Sequence, residues 1–202
     1  MQRNRIVLFL CCILLCLAPI AGCAQSVLAA GEDESAAQST FLDQLTFLGD
    51  STTAHMAQRS TLQKHQIWAA KSRYLNLDSR ITYAKIVAPD TGAEETIAAV
   101  AARLKPRYLV VTLGVDYGVY YYRDQPETFR LYYEKLLDAV SAASPETVLL
   151  PQSVFPVAKN SAVVTREMIA NANAVIRDIA ADRGLYFIDQ WLVLADSEGY
   201  LR

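Results

Sequence analysis

The stretch FLGDSTTAHM, Phe47 to Met56, places Gly49-Asp50-Ser51 directly after an apolar, strand-like segment, with His55 four residues beyond the serine. A serine hydroxyl at such a turn has two uses. It is a nucleophile if a neighbouring base takes its proton, or it caps the helix that follows. A strand-to-helix turn exposes the oxygen beside the outward-pointing N–H groups of the helix start. Those donors are what the oxyanion of an acyl-transfer intermediate needs. Residue type alone leaves both uses open. A second group of residues follows in YGVYYYRD (117–124). There Tyr117, Tyr120, Tyr121 and Tyr122 offer an aromatic wall to a sugar or acyl group, each ring having an apolar face and a polar tip. The alternative is packing under the loop, and Arg123 reads as a solvated charge. No metal site is legible: there are two histidines, and the carboxylates lack ligand spacing.

The elements that must position these residues alternate along the chain. LTFLG reads as a strand entering the Ser51 turn, and the stretch to about Ser72 has helical character. ITYAKIV (81–87) reads as a strand before the turn Pro89-Asp90-Thr91-Gly92. AEETIAAVAARLK (93–105) has helical spacing and is stopped by Pro106, after which YLVVTLG (108–114) suits a central parallel strand. PETFRLYYEKLLDAVSAA (126–143) is a helix, TVLLPQSVF a strand, and TREMIANANAVIRDIAADRG (165–184) a helix with Gly184 as its stop. LYFID (185–189) is the last strand. Alternating strands and amphipathic helices imply a parallel sheet with helices on both faces, and ligands at the carboxyl ends of its strands. Ser51, Asp116, Ser153 and Asp189 all fall at that rim.

Gly49-Asp50-Ser51 after the first strand, the turn glycine Gly92 and VVTLGVDYG after the central strand resemble the first three blocks of the SGNH (GDSL-type) hydrolases. The likeness spans about residues 42 to 202. It implies an α/β, three-layer flavodoxin-like fold and hydrolysis of esters, of lipid, acyl or acetylated-carbohydrate type, without a cofactor. It implies Ser51 as nucleophile, and an oxyanion site of the Ser51 and Gly92 N–H groups with the side chain at 116. Tyr117 and Tyr120 would then border the substrate. Two departures stand out. The family carries Asn where this chain has Asp116, and an ionised carboxylate accepts hydrogen bonds but cannot donate. Asp116 donates only if protonated, and otherwise is repelled or points elsewhere. The family base is a His in a late Asp-x-x-His segment, which this sequence lacks. His55 shares a helix face with Ser51, but the family base arrives from the C-terminal loop, so His55 and His65 read as ordinary histidines. The expectation is a C-terminally incomplete domain, its final helix missing and an apolar strip left on one sheet face. A non-catalytic glycan- or acyl-binding protein on the same fold is the alternative.

The N-terminus bears on location. Arg3 and Arg5 precede the apolar run IVLFLCCILLCLAPI, which ends at Ala21-Gly22-Cys23. This is the layout of a secretory signal, and Ile20-Ala21-Gly22-Cys23 resembles a bacterial lipobox. Residues 1–22 are read as a lipoprotein signal peptide, with Cys23 as the lipidated residue. Residues 23–40 are read as a flexible tether, and 41–202 as the hydrolase-like domain. All four cysteines lie at or before Cys23, so the domain has neither disulfide nor thiolate chemistry. A net charge of -2 and the absence of a basic run exclude a nucleic-acid footprint. The expected partners are a small ester or glycan and, through the lipid, a membrane.

Overall fold

The computed structural model describes residues 41–114 and 117–202. The chain divides into two compact units, Met1–Leu42 and Asp43–Arg202. The first lies almost wholly outside the described residues, as do the expected signal, Cys23 and the tether. Among the described residues no helix is long and apolar enough to cross a membrane.

The second unit is built on a parallel sheet of β1 (Leu45–Gly49), β2 (Ile67–Trp68), β5 (Tyr108–Thr112) and β6 (Val148–Pro151), in the order β2-β1-β5-β6. β1 and β5 are buried along both faces, as suits their largely apolar sequences. In register, Ile67, Phe47, Val110 and Leu150 form one row across the sheet, and Leu48, Val111 and Pro151 belong to the next. The helices are α1 (Ser51–Arg59), α2 (Ile97–Leu104), α3 (Pro126–Ala143), α4 (Arg166–Asp182) and the single turn α5 (Trp191–Leu194). Together they make the α/β flavodoxin-like fold.

One sheet face, with Leu48, Trp68, Leu109 and Val111, packs into a continuous core with α2, α3 and α4. The other carries a separate cluster of Leu45, Val110 and Leu150, with Phe47, Tyr108 and Ile188 against it. These are all residues of the sheet and its Ile188 bridge. Cross-braces tie α3 to α4: Arg130 donates to Asp182 at 2.5 Å, and Arg183 to Asp138 at 2.6 Å.

Three sequence expectations are corrected. The helix after Ser51 ends at Arg59, where Ser60 Oγ donates to Met56 O at 2.7 Å, and the second sheet strand is Ile67–Trp68. Two residues are too few for a periodicity signal; the strand is held by neighbours, including Gln66 Nε2, which donates to Leu45 O at 2.9 Å. Residues 81–87 do not enter the parallel sheet. Ile81–Tyr83 form a 3-10 turn, and β3 (Lys85–Val87) pairs antiparallel with β4 (Glu94–Thr96) in a separate hairpin. That pairing delays α2 to Ile97, where Thr96 Oγ1 caps it by accepting from Ala99 N. Finally, the strand expected at 185–189 is a single parallel bridge, Gln152 to Ile188. Gln152 N–H points to Val111 O and Ser153 N–H to Ile188 O. Alternation then puts the missing N–H of Pro151 on the Ile188 side, where it shortens the ladder.

Gly49 closes the joint between β1 and α1. A Cβ there would lie 2.1 Å from Thr53 Oγ1 and 2.5 Å from Thr112 O. Gly49→Ala is therefore expected to lower stability by about 1–3 kcal/mol, read as a lower urea midpoint with unchanged slope; an unshifted midpoint would mean the joint opens freely.

Candidate active site

The site grows from that joint. β1 ends at Gly49, and Asp50, fully buried, becomes the N-cap of α1. Its Oδ1 accepts from Thr52 N at 3.3 Å and from Thr52 Oγ1 at 2.9 Å. The capping is thus done by Asp50, one residue before Ser51. Ser51 is left as the first residue of the helix, partly exposed, at the end where backbone N–H groups point outward. Of the two uses open to Ser51 in the sequence, the cap is already taken by its neighbour.

On one side of the Ser51 turn stands β5. Gly49 pairs in register with Thr112, so the loop leaving β5 at Leu113-Gly114 runs beside Ser51. Gly114 has φ +120° and lies against Phe129, a backbone shape that a side chain would strain. Asp116 lies outside the described residues. Tyr117 follows: it stacks on Tyr121 at 4.0 Å between ring centres and meets Tyr122 edge-on at 6.5 Å. Its carbonyl accepts from Leu77 N at 3.0 Å, which fixes the loop. Tyr120 and Tyr121 are exposed, and Tyr121 meets Tyr120 edge-on at 5.7 Å. Arg123 packs 4.7 Å over Tyr120 and donates to its carbonyl at 2.7 Å. Tyr122 turns inward against Tyr132, and burial raises its phenol above the usual range. The four tyrosines thus divide between an exposed wall and the layer beneath it.

The other residues expected at this rim have different occupations. Ser153 is fully buried, and its Oγ accepts from Trp191 N at 3.1 Å. Asp189 is held by Arg177 at 3.0 Å. His55 lies exposed on α1, one turn beyond Ser51. His65 lines a cleft of about 390 Å³ with Asp43, Gln44, Pro106 and Arg107, at the amino ends of β1 and β5. Among the described residues no three His, Cys, Asp or Glu side chains are placed to hold a metal ion.

Gly92 is also not where the resemblance implies. Pro89 and Asp90 line that same amino-end cleft, so the hairpin turn reaches the rim opposite Ser51. Gly92 adopts φ +71°, and its N–H donates to Ala88 O at 2.8 Å within the turn. Its N–H serves the hairpin turn. The physical reason is the second-strand correction: β2 ends at Trp68, opposite Leu48, so the loop beside Ser51 on that flank starts at Ala69. Nothing in the spacing of 69–72 signals this, because the strand ahead of it is two residues long.

A family model, that of the GDSL-like Lipase/Acylhydrolase family, matches residues 47–202. The chain belongs to the GDSL-like lipase/acylhydrolase family. The match begins inside β1, two residues before Gly49, and covers the rest of the parallel sheet. Membership supports hydrolysis of ester substrates. A comparison with curated proteins returned no match.

The hairpin has its own clamp. Arg103 on α2 donates to Asp90 at 2.8 and 3.1 Å and to Glu95 at 2.7 and 2.9 Å. These hydrogen bonds hold both carboxyls below their ordinary pKa values. A depressed carboxyl stabilises the fold above its unfolded pKa, about 4, and that contribution fades as pH falls through the folded value. In Arg103→Ala the carboxyl titrations of Asp90 and Glu95, followed by carbon NMR, should move up to ordinary values. Unmoved titrations would exclude the guanidinium as the cause.

Proposed function

We propose that the chain is an exported, lipid-anchored serine esterase or acylhydrolase in which Ser51 attacks an acyl or acetylated-carbohydrate ester. The observation that carries this is the division of labour at the turn: Asp50 caps α1, while Ser51 stands partly exposed at the helix start, beside the loop leaving β5. In this reading the N–H groups at the start of α1 receive the oxyanion. The loop after β2, residues 69–72, takes the second donor's place in Gly92's stead. Tyr117 and Tyr120 border the substrate, an acyl group or sugar ring lying on the wall they share with Tyr121. The side chain of Asp116 completes the site if it carries its proton. Cys23 carries the acyl chains that hold the domain at the outer face of the membrane.

A second reading, a non-catalytic acyl- or glycan-binding protein, is favoured by the histidines. His55 is exposed one turn along α1, and His65 belongs to the opposite rim.

Hydrolysis of p-nitrophenyl acetate separates the two. Groups that act as a unit are not additive, so a serine without a working base loses nothing on removal. Ser51→Ala should lower the rate by at least about tenfold if Ser51 is the nucleophile; equal rates in the native chain and the variant leave the binding reading. Cys23→Ser, expressed with the full leader, should lose labelled palmitate and leave the membrane fraction; retained label would place the lipid elsewhere.

A further inference from the structure

A cleft of about 740 Å³ lies between α4 and the segment following Ile188. Arg166, Glu167 and Arg177 line it from the helix, and Asp189, Trp191 and Glu198 from the other side. Ser51 is not part of it. Its walls are held in place. Arg166 Nη1 donates to Glu198 O at 2.5 Å, and its guanidinium packs 5.6 Å from the Tyr200 ring. Arg177 bonds Asp189 Oδ2 and rests 5.2 Å over Phe187. Trp191 is pinned at its backbone N–H by Ser153. Gly199, at φ +84°, brings the chain against Arg166 and Trp191, since a Cβ there would lie 2.8 Å from Arg166 Cδ and 3.3 Å from Trp191 Cζ2.

The chemistry of these walls selects a ligand. Each guanidinium has five N–H donors in a planar fork, of which the wall contacts occupy few. Asp189 Oδ1 is buried without a donor among the described residues. Two arginines stand against three carboxylates, so an anion is opposed by as much charge as attracts it. An acyl chain would strip water from charged groups and return no hydrogen bonds. A ring with an apolar C–H face and many hydroxyls answers both needs: the face lies on the indole, and the hydroxyls meet the guanidinium and carboxylate forks. We infer that the cleft between α4 and the Asp189–Gly199 segment is a binding site for a neutral oligosaccharide, separate from the Ser51 site.

The protein supplies its own reporter. Trp68 is buried in the core, Trp191 lines the cleft, and the chain has no other tryptophan. In Trp68→Phe, titration with cellotriose, maltotriose and tri-N-acetylchitotriose should give a saturable change in Trp191 emission for at least one sugar. Calorimetry on the native chain reads the same event if that variant folds poorly. The dissociation constant should be on the order of 1 mM or below, and should weaken at least about tenfold in Arg177→Ala with the melting temperature unchanged. Ser51→Ala should bind as the native chain does, which keeps this result apart from that of the esterase assay. No saturable change with any of the three sugars, binding only of hexanoate or inorganic phosphate, or binding untouched by Arg177→Ala would each overturn the assignment.

Discussion

The close approach at Gly49 is the constraint on which the rest depends. Thr53 Oγ1 and Thr112 O both stand where a Cβ of residue 49 would be. Because that atom is missing, α1 leaves β1 abruptly and packs down on β1 and β2. The same step buries Asp50 as the helix cap and lifts Ser51 to the rim. The position of Ser51, the helix start and the neighbouring loop are therefore consequences of one steric allowance. A larger residue would not simply crowd this place; it would tilt the helix whose first N–H groups lie at Ser51.

The two ends of the sheet are built on different physics. At the carboxyl end, contacts are made by the Asp50 carboxyl, by backbone groups and by aromatic rings: the capped helix, the Leu77–Tyr117 link and the tyrosine stack. At the amino end, the β3–β4 hairpin is tied to α2 by Arg103 and two carboxylates. Those ion pairs are partly exposed, so they set the hairpin's position more than they add to stability. A glycine in that hairpin has a structural use, the left-handed turn residue, and it is fully employed there.

The third region, between α4 and the last segment, shows how a polar site arises from a core helix. The inner face of α4 buries Ile169, Ala172, Ile176 and Ile179. Its flank carries Arg166, Asn173 and Arg177, spaced seven and four residues apart. Asn173 faces the chain after β6 and holds Val154 through both its backbone N–H and carbonyl. The charged neighbours are left to meet the segment that returns past Ile188. One helix thus closes the core and furnishes the cleft.

Much was legible in the sequence because it was local. The helix over 126–143 is observed at those bounds, since its apolar period, its first-turn proline and the Ser144-Pro145 break all act within a few residues. Gly184 stops α4 with φ +63° for the same kind of reason. Gly49-Asp50-Ser51 after an apolar strand carried the family and the candidate nucleophile. What needed tertiary structure was every choice that depends on a distant partner. Ile67–Trp68 is a strand only because β1 is beside it, and residues 81–87 are excluded from the sheet because Glu94–Thr96 captures them. The resemblance implies Gly92 as an oxyanion donor, yet its N–H is taken up by Ala88 O within a hairpin whose Pro89 and Asp90 reach the far rim. Short-range sterics and capping are written in neighbouring residues; which strand pairs with which is decided by contacts between segments far apart, and the position of a backbone donor follows that pairing.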